Sequence, residues 1–263
     1  MNAHLIERHF AKIGARAKVD RSARRDSVAI DIDRDGEGEY FDVKVPARRS
    51  PELLVVDARP RQRHLLLMSR DEDGKHKFLC GHDERHWFVA AVPERSGAST
   101  VVTAMEALKP RPVQFRQNQL QVKTNKRNRR RNEAFLRQGE WFFIPVPKWV
   151  RVNEELVLRN EPLRRGNGKP HLVEELVRDG GELVYVSVQH PQGLTPREHQ
   201  RLLSRQPKLR SLHWVAQRRN PQVFVRGKIR HADHKTIVLH EWHQVLMNTE
   251  TESVAMRHVA FID

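Results

Sequence analysis

The sequence predicts an α+β fold: a β-rich N-terminal half, built as an antiparallel meander with short helices, and a second small β-rich unit. Three observations lead there. Short runs alternate apolar and polar residues with period two and are bounded by Asp-Gly turn signals. Helical periodicity is confined to brief stretches with their own cap signals. Hydrophobic residues make up 38% of the 263 residues, and five tryptophans and ten phenylalanines fall in the periodic segments, enough for real cores despite 31% charged residues.

In chain order, Ile6, Phe10, Ile13 and Ala17 recur at helical spacing and predict a helix over 4–18. Val28, Ile30 and Ile32 then alternate with polar positions, Asp35-Gly36 marks a turn, and 40–45 returns as its partner strand. Further strands are predicted at 53–56, 64–68, 76–79 and 87–92, with Asp73-Gly74 and the run from Cys80 to Asp83 as connections. Ser99 is a candidate cap for a helix reaching Leu108, which Pro110 stops. Residues 139–147 read as a strand ended by prolines, 183–188 as another, and Thr195-Pro196 opens a helix to about Leu203. Strands at 223–229 and 236–247 complete the pattern. The division expected is 1–108, a basic hinge at 109–138, and 139–263.

Charge sets the class of partner. The formal charge is +15, and such an excess draws polyanions to the surface. Residues 109–137 hold ten lysines and arginines against Glu133 alone, a net +9, and 208–235 hold eight against Asp233, a net +7. Nucleic acid is therefore the expected partner. The candidate phosphate-binding residues are Lys123, Lys126, Arg127, Arg129, Arg130, Arg131 and Arg137 in the first field. In the second they are Arg218, Arg219, Arg226, Lys228 and Arg230. Few aromatics interleave, which favours backbone contact over base stacking. The alternative for both runs is a solvated charged face, or a surface that meets an acidic protein within a larger assembly.

One cysteine, Cys80, excludes an internal disulfide and a thiolate zinc cluster. The start of the chain lacks an apolar signal core, and no apolar run approaches the roughly 18 residues of a membrane span. A cytoplasmic location without a membrane partner is the expectation. Cys80 as a nucleophile beside His82 is the weaker reading against a small buried filler.

Fifteen histidines are many, and four fall between 231 and 243. Strand alternation puts His240 and His243 on opposite faces, so those four cannot converge. His231 and His234, spaced H-x-x-H in a loop, with His171 as a distant third group, form the better constellation. They could serve as base and acid for phosphodiester cleavage, with Arg230 or Lys235 beside the developing charge. A metal-assisted variant would use the same histidines as ligands of a divalent ion. The alternative is that hydrogen bonds satisfy them as ordinary loop histidines.

From Arg137 onward the chain resembles a group of small uncharacterised bacterial and phage proteins. These open with an R-Q-G-D-V-L strand, pass through a histidine-bearing glycine loop, and close with an H-x-E-H-type strand. Here Arg137-Gln138-Gly139-Glu140, Gly168-Lys169-Pro170-His171 and His231-Ala232-Asp233-His234 stand in those places. This chain has glutamate at 140 where the group has aspartate, and one loop histidine rather than two. The resemblance implies that His171, His231 and His234 share one site. Three function classes stand at this point: a nucleic-acid-binding protein, which the charge favours, a histidine-centred phosphodiesterase or nuclease, and a structural or interaction component of a larger assembly.

Overall fold

The computed structural model describes residues 3–24, 26–48, 51–72, 74–165 and 168–253. Strands take up 48% of the described residues and helices 24%, which makes the fold a β-rich α+β one. Helix α1 (Ala3–Lys12) is followed by β1 (Arg16–Ala23), β2 (Ala29–Asp35) and β3 (Gly38–Pro46). The helix is shorter than its periodicity predicts. Gly14, at φ 77°, caps it: the Ala15 N–H donates to Phe10 O and the Gly14 N–H to Ala11 O, both at 3.0 Å. The next apolar residues, Ala17 and Val19, therefore belong to β1. That strand pairs parallel to β3, against the all-antiparallel expectation, because the chain after β1 passes to the far side as β2 and β3 then returns between the two. The three-strand order is β1-β3-β2, with β2 and β3 joined at the expected Asp35-Gly36 turn.

The predicted meander follows as β4 (Glu52–Arg59), β5 (His64–Asp71), β6 (Gly74–Asp83) and β7 (His86–Val92), all antiparallel neighbours. Asp73 lies outside the described residues. Cys80 is in β6 rather than in a connection: the turn comes later, at Glu84 and Arg85, where Glu84 takes φ 49°. Phe10, Phe41, Leu65, Leu67, Phe78 and Cys80 bury the face shared with α1. The other face of the sheet packs on α2 (Val101–Ala107) through Leu66, Leu79, Ala90, Val101 and Ala104. Thr100, not Ser99, caps α2, with its hydroxyl accepting from the Thr103 N–H.

The basic segment is folded chain. It forms α3 (Arg111–Gln119), α4 (Thr124–Arg127) and, with Leu136, the start of β8 (Leu136–Gln138). Val113, Val122, Ala134 and Phe135 pack beneath it on Phe142 and Ile144. Inside, Lys109 is buried among Glu106, the Gln117 side-chain oxygen and the Arg127 carbonyl, at 2.6, 3.1 and 2.9 Å.

Beyond it come β9 (Trp141–Pro145), β10 (Leu158–Leu163), β11 (His171–Asp179), β12 (Glu182–Ser187), β13 (His190–Leu194), α5 (Pro196–Arg205), β14 (Val215–Arg219), β15 (Gln222–Arg230) and β16 (Ile237–Met247). Six of the strands form one sheet, ordered β10-β11-β15-β16-β9-β8. Thr195 and Glu198 close the predicted cap of α5 as a reciprocal box. Val173, Leu176, Val225, Ile229 and Phe143 bury one face of the sheet. The two halves are tied together by named bonds. The Lys235 N–H donates to Glu84 Oε2 at 2.6 Å, Arg137 to Asp83 at 2.8 Å, and the Thr249 hydroxyl to Ala107 O at 2.6 Å.

Candidate metal centre

Antiparallel pairing of β11 with β15 sets Leu172 against Arg230 and Val173 against Ile229. One step further along that register, His171 at the head of β11 meets His231 just past the end of β15. The short connection to β16 then turns His234 back onto the same spot. One candidate ligand atom from each of the three imidazoles lies within 4.8 Å of the other two. The rings are close: 4.2 Å between the centroids of His171 and His231, 4.7 Å between His231 and His234, and 5.6 Å between His171 and His234. The distant His171 is thus brought beside His231 and His234.

The environment suits neutral imidazoles. His171 is 0% exposed, and neither of its ring nitrogens has a hydrogen-bond partner. Burial pushes its pKa down to about 3, helped by His231 and His234. Burial likewise pushes His234 down to about 4, with His231 adding to the shift. Near neutral pH these rings carry lone pairs, the state a metal needs. The Asp233 N–H donates to His231 Nδ1 at 3.1 Å.

The turn between β8 and β9 leaves room at the cluster. Gly139 has φ +56°, and a Cβ there would stand 3.1 Å from His234 Nε2 and 3.5 Å from His171 Nε2. Glycine is thus required twice, for the left-handed backbone and for the space in front of two ring nitrogens. Three nitrogens on one tetrahedral zinc, each at about 2.0–2.1 Å from the metal, would lie about 3.3 Å apart. Small rotations of the rings would close the cluster to that spacing. A buried, partnerless imidazole facing a cradle that a Cβ would fill fits a metal site of nitrogen donors. It does not fit the alternative of histidines satisfied by hydrogen bonds, which His171 lacks.

Carboxylates from both halves stand around the histidines. Glu84 Oε2 is 3.8 Å from His234 Nδ1 and also accepts from Lys235 N–H; Arg130 pairs with Glu84. Asp233 is held by Lys169 at 2.7 Å, and His86 Nε2 lies 3.9 Å away from it. His231 and His234 form part of the wall of a cleft of about 610 Å³ between the halves, which Asp83, Trp87, Phe88 and Glu140 also line. The buried ion pair of Arg165 with Glu250 lines it as well. Gly166 and Asn167, just ahead of the Gly168-Lys169-Pro170-His171 loop, lie outside the described residues.

The predicted phosphate contacts divide. Lys126 pairs with Glu133, Arg127 with Glu106, Arg130 and Arg137 with Asp83, Arg219 with Glu182, and Arg226 with Glu154 and Glu175. Arg218 is exposed and donates to Gly181 O at 3.2 Å, and exposed Arg230 reaches Asn160 at 3.4 Å. Lys123, Arg129, Arg131 and Lys228 are exposed, with no ion pair among the described residues. His240 is exposed and His243 half-buried, and neither joins the cluster. Cys80 is fully buried, and burial pushes its thiol pKa up, so it is inert filler and no nucleophile. Sequence reasoning missed the Gly139 cradle and Glu84. The Gly139 signal was a glycine between two short strands, and Glu84 is brought in by tertiary docking alone.

No protein-family model, curated protein or solved structure matches the chain. Among the described residues, no helix is long and apolar enough to cross a membrane.

Proposed function

We propose that the chain is a metal-dependent enzyme acting on phosphodiesters of nucleic acid, with the ion held by His171, His231 and His234. The observation that carries this reading is the His171 imidazole, buried with two partnerless nitrogens, beside two further imidazoles on the wall of a cleft. Three protein ligands would leave a fourth position for water, and the bound ion would lower that water's pKa towards 7. The chain's own groups would do the rest. Glu84, near His234, and Asp233, next to His231, are placed to orient the ligand rings as outer-shell partners. Arg137 and Lys169, now engaged by Asp83 and Asp233, line the cleft and would meet a phosphate's negative charge.

The test has two arms. Protein purified without chelator and analysed by inductively coupled plasma mass spectrometry should carry close to one equivalent of zinc or a similar ion, lost in His231→Ala. Hydrolysis of bis(4-nitrophenyl) phosphate and of single-stranded oligonucleotides should require that ion. A chain that takes up no transition metal when offered it would end the proposal.

A second reading, binding of nucleic acid without turnover, is favoured by Lys123, Arg129 and Arg131, which are exposed in the basic segment. Metal uptake with no hydrolysis, and salt-sensitive binding that falls on neutralising Arg129 and Arg131, would decide for it.

A further inference from the structure

Residues 180–221 leave the main sheet and return to it at one point, since Asp179 pairs with Gln222 across β11 and β15. In place of a hairpin turn the chain inserts a separate three-stranded sheet, β13-β12-β14, with α5 against it. The exit requires glycine: a Cβ on Gly181 would stand 2.8 Å from the Arg219 carbonyl. Tyr185, His199 and Trp214 form the insert's own small packing centre. His199 stacks on Tyr185 at 4.4 Å and meets Trp214 edge-on at 4.4 Å. That contact fixes which side of α5 faces inward: His199, with Leu202 and Leu203 on the same stripe.

The opposite side of α5 carries Arg197, Arg201 and Arg205, all exposed, and these line one shallow groove with Gln200. Spaced by four residues, they stand in a row with about 6 Å of rise between neighbours and about 12 Å from first to last. The insert has seven lysines and arginines against Glu182 and Glu198. Both acids are used internally: Glu182 holds Arg219 at 2.5 Å, and Glu198 closes the α5 cap with Thr195 at 2.8 Å. Among the described residues no carboxylate pairs with Arg197, Arg201 or Arg205. Three like charges along one helix face repel one another and cost helix stability. A helix that keeps such a row, on an insert where seven basic residues outnumber two acids, is complementary to a line of negative charge. Guanidinium forks match phosphate oxygens bidentately.

We infer that the Arg197–Arg201–Arg205 face of α5 binds the sugar-phosphate backbone of a nucleic-acid strand. Successive phosphates along an extended strand are spaced much as these arginines are, so each fork takes one phosphate and Gln200 adds a donor to sugar or phosphate. The face would serve as a docking surface separate from the histidine cleft. It rests on the reading of that cleft only in taking nucleic acid, rather than another polyanion, as the partner.

The experiment measures fluorescence anisotropy of 5′-labelled dT20 and U20 at several NaCl concentrations with EDTA present, so no turnover or metal is needed. Wild type is compared with the triple variant Arg197→Gln, Arg201→Gln, Arg205→Gln; glutamine keeps helix propensity. Circular dichroism and thermal melting confirm that the variant is folded. The expected result is at least tenfold weaker binding near 100 mM NaCl. The salt slope should also fall by about 2, since each single-strand phosphate contact is worth about 0.7. An unchanged slope and affinity in the folded variant overturns the inference, as does wild type that binds neither strand. Binding of poly-glutamate in preference to both strands, lost in the variant, also overturns it and assigns the face to an acidic protein. Failure of the cleft reading shows separately, as absent metal uptake and absent diester hydrolysis in wild type.

Discussion

Gly139 and His234 are the closest-fitted pair at the centre: a single methyl at 139 would stand 3.1 Å from His234 Nε2. The same position requires a left-handed backbone, at φ +56°. Gly139→Ala therefore both strains the turn, by about 1 kcal/mol or more, and fills the space the ring nitrogens face. Zinc affinity, read by competition with a chromophoric chelator, should fall at least tenfold while the fold persists. Unchanged affinity would mean the ion, if bound, lies elsewhere.

His171 carries a cost when no metal is present, because a buried imidazole without partners has lost its hydrogen bonds to water. His171→Phe keeps a ring for His231 to stack on and removes the unsatisfied nitrogens. Metal-free stability by urea unfolding should stay within about 1 kcal/mol of wild type or rise. The metal-induced gain, about 2.7 kcal/mol at a hundredfold excess over Kd, should vanish. A variant that is strongly destabilised without metal yet still stabilised by it would contradict this account.

Cys80 sits at 0% exposure in the first core. Ellman's reagent should leave the native thiol unmodified and label it fully in denaturant. Cys80→Ser, which buries a hydroxyl among Phe41, Leu65 and Phe78, should cost about 1–3 kcal/mol in urea unfolding with metal binding intact. Rapid labelling of the folded chain would restore Cys80 as a reactive group.

Lys109 gives a pH dependence of definite sign. Burial pushes its pKa down to about 8, opposed by Glu106, against 10.5 for an ordinary lysine. Between those values the unfolded chain holds a proton that the folded chain has released, so stability rises with pH across that window. Urea midpoints of wild type relative to Lys109→Met should therefore improve from pH 7.5 to pH 10. A difference that stays flat or reverses would show that the Glu106 and Arg127 contacts keep the ammonium fully charged.

Much of the local structure was legible in the sequence because the signals are local. Asp35-Gly36 makes its turn through backbone chemistry alone. Thr195 with Pro196 and Glu198 caps α5 within one helical turn. The strand alternation that separated His240 from His243 is a property of the extended chain. Elements that compete with a neighbour were misplaced instead. Ala17 fits a helical stripe, but the Gly14 cap ends α1 and hands it to β1. Cys80-Gly81 looks like a turn, yet the pairing of β6 with β5 and β7 carries the strand through to Asp83.

By itself the sequence determined a basic, β-rich α+β chain and an H-x-x-H loop at His231 and His234. It also flagged His171 as the distant residue to bring to that loop. The tertiary structure alone decided that they meet, because only the register of β11 on β15 fixes which residue lies beside His231. It alone decided which charges remain outward. Folding brings carboxylates from distant segments within 4 Å of Arg127, Arg130, Arg137, Arg219 and Arg226, pairings that the linear order of charges does not show. The arginine row of α5 is left facing outward because its helix turns its other side to Tyr185 and Trp214. Sequence spacing fixes the period of a charge pattern, and long-range packing fixes which side of it meets solvent.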